Sequence, residues 1–349
     1  MNASAATPPV TIPALAKRNA TRALRGAGQG GVLIPSVILF IVLAVMSKPF
    51  ATRVNLLNLL DQQSSVLIIA AAGTLVLIVG GLDLSVGSVY ALSAVVTTKL
   101  AQHGNIALAL ACGLLVGALI GLLNGTVVAI FEVNALIATL ATSFVVVGVA
   151  ALLTSGNSIT LYQRPGYGDL AGSHFLSVTS ATWIAVAVVV LLGLALWATT
   201  YGRYVYAIGG NHNAARLAGV RVIPVRVSAF MISGCAAALA GLIDSSRVLS
   251  AQSSSGGDSL TFTVIAGIVV GGTSILGGQG AIWRTVLGVL FLALIGNGYA
   301  LLGLNPLYQQ VTLGALILIA VGAGGFGRVA AGRRAVFRRG PRGAAGEAS

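Results

Sequence analysis

Few residues in this chain could do chemistry, and the first to stand out is a single carboxylate. Asp83 lies in Val79-Gly80-Gly81-Leu82-Asp83-Leu84-Ser85-Val86-Gly87-Ser88, between two long apolar runs. Paired glycines beside a carboxylate at that place imply a backbone broken at or near the depth of a bilayer. Irregular backbone is tolerated there only where protein or a water-filled cavity satisfies its polar groups. Two compatible roles fit. Asp83 or Ser85 caps the helix that follows, or Gly80, Gly81, Asp83 and Ser85 border a translocation path.

A second polar stretch runs from Tyr201 to Arg221 and contains Gly209, Gly210, Asn211, His212, Asn213, Ala214, Ala215 and Gly219. Asn211 or Asn213 is placed to cap a short helix through Ala214, Ala215 and Leu217, with Gly219 as its stop. Such a short amphipathic helix suits a partner's groove. An ordinary basic loop beside anionic lipid is the competing reading. The third stretch, Gly271-Gly272-Thr273-Ser274-Ile275-Leu276-Gly277-Gly278-Gln279-Gly280, reads as a tight connection between two apolar segments.

The remaining polar residues offer little. Asp244 and Arg247, three apart on one helical face, read as a solvated ion pair. His103, His174 and His212 fall on scattered loops, and neither a metal site nor a hydrolytic triad can be assembled from them. Cys112 and Cys235 sit inside apolar runs without CxxC spacing, so no disulfide framework is expected. No Gly-x-x-x-x-Gly-Lys-Ser/Thr loop is present to cradle a nucleotide. No cofactor and no metal are expected.

The elements that must position these residues follow from composition. Hydrophobic residues make up 56% of the chain and charged residues 8%, against roughly 25% charged in a soluble domain. An all-α polytopic membrane protein is therefore expected. Charge-free runs, divided at turn residues, give about ten transmembrane helices: residues 32–47, 62–80, 85–101, 106–130, 134–154, 181–199, 227–247, 259–275, 281–302 and 307–326. Gln102 to Asn105 and Gly303 to Pro306 supply two of the turns. Residues 1–31 and 327–349 read as basic tails flanking a transmembrane domain at 32–326. The Asn124-Gly125 pair echoes Asn297-Gly298, as an inverted repeat pairing helices two to five with seven to ten requires.

The net charge of +13 does not point to nucleic acid, because the charges lie in tails and loops without interleaved stacking aromatics. With ten crossings, 15 of the 20 Lys and Arg residues fall on one side. The positive-inside rule makes that side cytoplasmic, with both termini on it.

All three polar stretches, quoted above in order, resemble those of ABC permeases of the ribose, xylose and arabinose class, over roughly residues 32–325. The resemblance implies a bacterial inner-membrane permease that forms the path for a monosaccharide. It implies as partners a separate ATPase subunit, a periplasmic sugar-binding protein and a second permease copy or paralogue. It also implies that the loop of Gly209, Gly210, Asn211, Ala214, Ala215 and Gly219 seats in the ATPase. The leading Glu usual in that loop is replaced here by Asn213. A permease for nucleosides or branched-chain amino acids is the adjacent alternative. An ion-coupled secondary transporter is the more distant one, since it would want acidic or His residues deep in several helices.

Overall fold

A computed structural model describes residues 31–319, apart from 163 and 306, together with 322. A helix stands at each of the ten expected positions. They are α1 (Leu33–Met46), α2 (Arg53–Ile78), α3 (Val86–Ala101), α4 (Ile106–Ala129), α5 (Ala135–Thr154), α7 (Ser180–Ala198), α10 (Val222–Val248), α11 (Gly257–Val270), α12 (Ile282–Leu301) and α13 (Leu307–Ile319). Three further helices lie in the connections: α6 (Pro165–Gly172), α8 (Thr200–Gly210) and α9 (His212–Leu217). The only strands among the described residues are two-residue pairs: β1 (Ile159–Thr160) with β4 (Ser250–Ala251), and β2 (His174–Phe175) with β3 (Val178–Thr179). Helices α2, α4, α5, α7, α10 and α12 are long and apolar enough to cross a membrane, and the other four of the ten are shorter. The protein is an all-α membrane protein. Residues 1–30 and 327–349 of the basic tails, and residues 320, 321 and 323–326 of the tenth expected span, lie outside the described residues.

Polar residues at the expected turns double as caps. Asn105 Oδ1 accepts the amide hydrogens of Ala107 (2.8 Å) and Leu108 (3.3 Å), and Asn134 Oδ1 accepts that of Leu136 (2.9 Å). After α12 the Leu304 amide returns to the Tyr299 carbonyl (3.0 Å).

Two helices start earlier than their charge-free windows. The first turn of α2 begins at Arg53 rather than 62, and α10 begins at Val222 rather than 227. The reason is that charges sit inside the helices instead of bounding them. Arg247 on α10 is ion-paired with Asp61 of α2, its Nε 3.1 Å from Oδ2, and it donates Nη1 to Asp244 (3.1 Å), while its Nη2 donates to the Asp61 carbonyl (2.7 Å) and Ser64 Oγ (2.9 Å). Tyr90 of α3 also donates to Asp244. The solvated Asp244–Arg247 pair expected from sequence is thus corrected to a half-buried network that ties α2, α3 and α10 together.

The central helix is α2, whose residues from Ile68 to Ile78 are buried throughout. Helices α7, α10, α11 and α12 pack around it. Thr74 and Thr285 share a hydrogen bond of 2.7 Å between α2 and α12. Helices α4 and α10 pack along Gly117, Gly121 and Gly125, one per turn, while Gly113, a turn earlier, lies against Thr97 of α3 and Leu242 of α10. A methyl group at Gly117 would lie 2.3 Å from the Gly234 carbonyl oxygen, and one at Gly121 would lie 2.5 Å from that of Phe230. Apolar surface gains little by leaving lipid, so small residues that bring backbones together supply the attraction through packing.

Asn124 and Asn297 occupy unlike surroundings. Asn297 exchanges two side-chain bonds of 3.0 Å with Asn55, whereas Asn124 faces the break described below. The local repeat visible in the backbone is a different one, between the ends of α2 and α11.

Gly117→Leu forces α4 away from α10, and overpacking of this kind typically costs about 1–3 kcal/mol or more. The expected outcome is a clear fall in the melting temperature of the detergent-purified protein. Gly193→Ala, on a residue with open space beside it, should leave that temperature unchanged.

Candidate functional site

The break between α2 and α3 is built by its end groups. Gly80, at φ +86°, lets its amide return to the Leu77 carbonyl (3.0 Å) and the Gly81 amide to that of Val76 (2.8 Å), which closes α2 as a Schellman cap. The chain then runs without regular structure to Val86. Asp83 holds this segment in place, with Oδ1 accepting the Ser85 amide (3.0 Å) and the Ser85 hydroxyl (2.6 Å). Its Oδ2 accepts the Ser233 hydroxyl of α10 (2.8 Å).

Neither expected form of helix capping is present as such. Ser85 occupies the cap position but makes no side-chain bond to α3. Asp83 takes the amide of Ser85 itself, just ahead of the helix. The Ser85 oxygen also accepts from Asn124 Nδ2 of α4 (2.9 Å), and Asn124 Oδ1 accepts the Thr142 hydroxyl of α5 (2.7 Å). Thr139 of α5 accepts the Leu84 amide (3.0 Å). Ser233 is eleven residues into the 27-residue α10, which puts Asp83 about 16 Å along a helix of about 40 Å. Asp83 is 6% exposed, and Ser85, Asn124 and Ser233 are buried as well. Both carboxyl oxygens of Asp83 accept hydrogen bonds from protein donors.

The expected short helix is α9. Asn211 caps it by accepting the Ala214 amide on Oδ1 (2.9 Å), while Asn213 lies within the helix. Gly219, at φ +82°, ends it, with the Gly219 amide bonded to the Arg216 carbonyl and the Val220 amide to that of Ala215, both at 3.0 Å. Ala215 points into the chain and is buried, so the outward face belongs to Ala214, Leu217 and Ala218. Leu217 is 90% exposed.

Three sequence stretches that are far apart in the chain meet at the end of α2. The Gly278 amide donates to the Ile78 carbonyl (2.8 Å). A methyl group at Gly209 would lie 1.7 Å from that same oxygen and 2.6 Å from the Gly278 nitrogen. One at Gly277 would lie 3.0 Å from the Gly80 Cα, and one at Gly278 would lie 3.0 Å from the Gly210 Cα. The α11 end repeats the α2 end: the Gly272 amide bonds to Val269 (2.8 Å) and the Thr273 amide to Ile268 (3.2 Å), with Gly272 at φ +88°. Tyr206 of α8 donates its hydroxyl to the Gly280 carbonyl (2.8 Å). Burial pushes this phenol upward, and the nearby Arg284 guanidinium partly offsets the shift.

The sequence singled out every stretch in this arrangement but not their convergence. It also missed Asn124 in its role beside Ser85, and Thr139, Thr142 and Ser233 altogether. The only available signal for these was a lone polar residue in each apolar run. No cluster of metal-ligating side chains exists among the described residues.

A family model described as the permease component of the branched-chain amino acid transport system matches residues 55–321. The ribose import permease protein RbsC of Haemophilus influenzae is 36% identical over 82% of this chain and 90% of its own length. The protein of the same name from Bacillus subtilis is 38% identical over 83% and 91%. The L-arabinose transport system permease protein AraH of Escherichia coli is 38% identical over 84% and 89%. No solved structure matches.

Asp83→Ala leaves three buried donors without their acceptor, at about 1–3 kcal/mol for each such loss. A marked drop in melting temperature is expected, with Asp83→Asn much closer to the parent because its amide oxygen still accepts from Ser85. An alanine variant as stable as the parent would show that the carboxylate does not hold the break.

Proposed function

This chain belongs to the family of branched-chain amino acid transport-system permease components, and we propose that it forms the membrane path of an ATP-driven importer for a monosaccharide of the ribose and arabinose class. Its role is transport rather than catalysis. Relatives whose names specify ribose and L-arabinose match it over about nine-tenths of their own length, which favours a sugar over a nucleoside or an amino acid. In this reading the chain crosses the bacterial inner membrane ten times with both termini in the cytoplasm. It pairs with a second permease copy or paralogue and receives its cargo from a periplasmic binding protein.

The ATPase subunit docks on α9, through Ala214, Leu217 and Ala218, with Gly219 leaving the approach open. One observation carries the mechanism: Gly209 and Gly210, immediately before α9, touch Ile78 and Gly278 backbone to backbone. Displacement of α9 by the ATPase therefore acts directly on the end of α2, two residues from Gly80 and five from Asp83. Gly80, Gly81, Asp83 and Ser85 act as the moving border of the path, held in the resting state by Ser233, Asn124 and Thr139. An ion-coupled mechanism is less favoured, because every bond to the Asp83 carboxylate comes from a hydroxyl or an amide of the chain.

Uptake of labelled ribose or arabinose into vesicles carrying this chain, its ATPase and its binding protein should require internal ATP. Uptake that persists without ATP would contradict the assignment. Gly209→Ala should cut transport at least about tenfold, which corresponds to roughly 1.4 kcal/mol of coupling, while the ATPase still binds. Gly210→Ala has free space beside it and should transport normally. Gly219→Val, strained at positive φ and bulky on the open side, should weaken capture of the ATPase without altering membrane insertion.

A further inference from the structure

We propose that the β2–β3 hairpin is a membrane-interface anchor that dips into the headgroup region at the end of α7 carrying Trp183. The hairpin pairs His174 with Thr179 and Phe175 with Val178, leaving Leu176 and Ser177 as its two-residue tip. Both tip residues have positive φ, +53° and +63°. That is the backbone of a two-residue hairpin turn normally given to Asn and Gly. A Leu in this conformation gains no packing in return, since its side chain is 71% exposed and that of Phe175 is 65% exposed. The hairpin is not loosely attached, because the Ser180 amide bonds to the Ser173 carbonyl (2.7 Å) and the Ser180 hydroxyl to that of Leu170 (2.7 Å). An apolar tip is therefore held rigidly outward.

What it meets follows from continuity with α7. Trp183 in the first turn of α7 donates Nε1 to the Phe175 carbonyl (3.1 Å), and the two rings stack edge to face with centroids 6.1 Å apart. From Trp183 an exposed stripe runs through Val190 and Leu194 to Trp197, which is 83% exposed at the far end of the helix. A Trp at each end of an exposed apolar stripe is the pattern of a lipid-facing span with aromatic belts. The two Trp residues are fourteen positions apart, about 21 Å along the axis, less than the roughly 30 Å of a hydrocarbon core. With Trp197 at one boundary, Trp183 lies about 9 Å short of the other, and the hairpin, whose last residue Thr179 is the N-cap of α7, extends the chain from that end of the helix. The hairpin tip then falls among headgroups and upper acyl chains rather than in bulk water. This holds whichever end of α7 faces the cytoplasm.

The test uses the full chain with Cys112→Ser and Cys235→Ser, a spin label at Leu176→Cys, and vesicles of phosphatidylethanolamine and phosphatidylglycerol without other proteins. Oxygen, which partitions into lipid, should relax the label several-fold more effectively than a water-soluble nickel chelate. A label at Asn213→Cys on the exposed α9 should show the reverse order. Phe175→Cys provides a second site in case a label at the tip disturbs the turn, and the same ordering is expected there. Labels at both hairpin sites that behave like the one at Asn213 would overturn the proposal. So would labels that are water-accessible in vesicles and become shielded only when the solute-binding protein is added, since the hairpin would then be that protein's docking point.

Discussion

The arrangement depends on one close approach, that of the α8 backbone at Gly209 to the Ile78 carbonyl at the end of α2. No side chain fits between them. That contact makes α8 and α9 part of the bundle instead of a loop hung from it. It also brings the Gly277-Gly278 turn onto the same spot, with the Gly278 amide satisfying the Ile78 carbonyl that the helix end leaves free. Two helices that end in the same glycine cap, α2 and α11, thereby present their ends side by side to a third element. In such a junction a sub-ångström displacement on one side has no soft side chain to absorb it.

The second constraint is the polar lining of the break. An ionised carboxylate far from water is costly unless it is fully hydrogen-bonded. Asp83 obtains its donors from Ser85 and from α10, and Ser85 in turn is held by Asn124 of α4. Asp83 and Ser85 share the break, Ser233 sits on α10 and Asn124 on α4. The bond set therefore exists only in one relative placement of α3, α4 and α10, and moving any of them trades several modest bonds rather than one strong one. Such an energetic profile suits the moving role proposed for this segment.

Much of this was legible in the sequence. The ten helix positions, the turns at Asn105 and at Gly303, a cap at Asn211 or Asn213 and the stop at Gly219 all follow from apolar run length and local backbone preference, and the structure selects Asn211. The starts of α2 and α10 were not legible, because treating charge as a boundary fails when Asp61 is paired with Arg247 inside the bundle and when Arg226 lies within α10 itself. Ala215 was expected on the docking face and is buried, since a six-residue helix packed against the bundle must give up one side. The junction itself was out of reach. Glycine stretches at 80, 209 and 277 reveal their own turns, but which turns touch is settled by tertiary packing. The partners of Asp83 were hidden for the same reason: Ser, Thr and Asn are common singly in apolar helices, and only the fold selects the few that face a carboxylate.

The account's central claim is that the helix offered to the ATPase and the segment carrying Asp83 move as one unit. Hydrogen exchange of the peptide covering residues 80–85, in the assembled transporter with and without ATP turnover, tests this most directly. The Gly81 and Ser85 amides, bonded to Val76 and Asp83 at rest, should exchange faster during turnover in the parent and stay protected in Gly209→Ala. Unchanged protection of this segment in a parent complex that is actively turning over ATP would contradict the account.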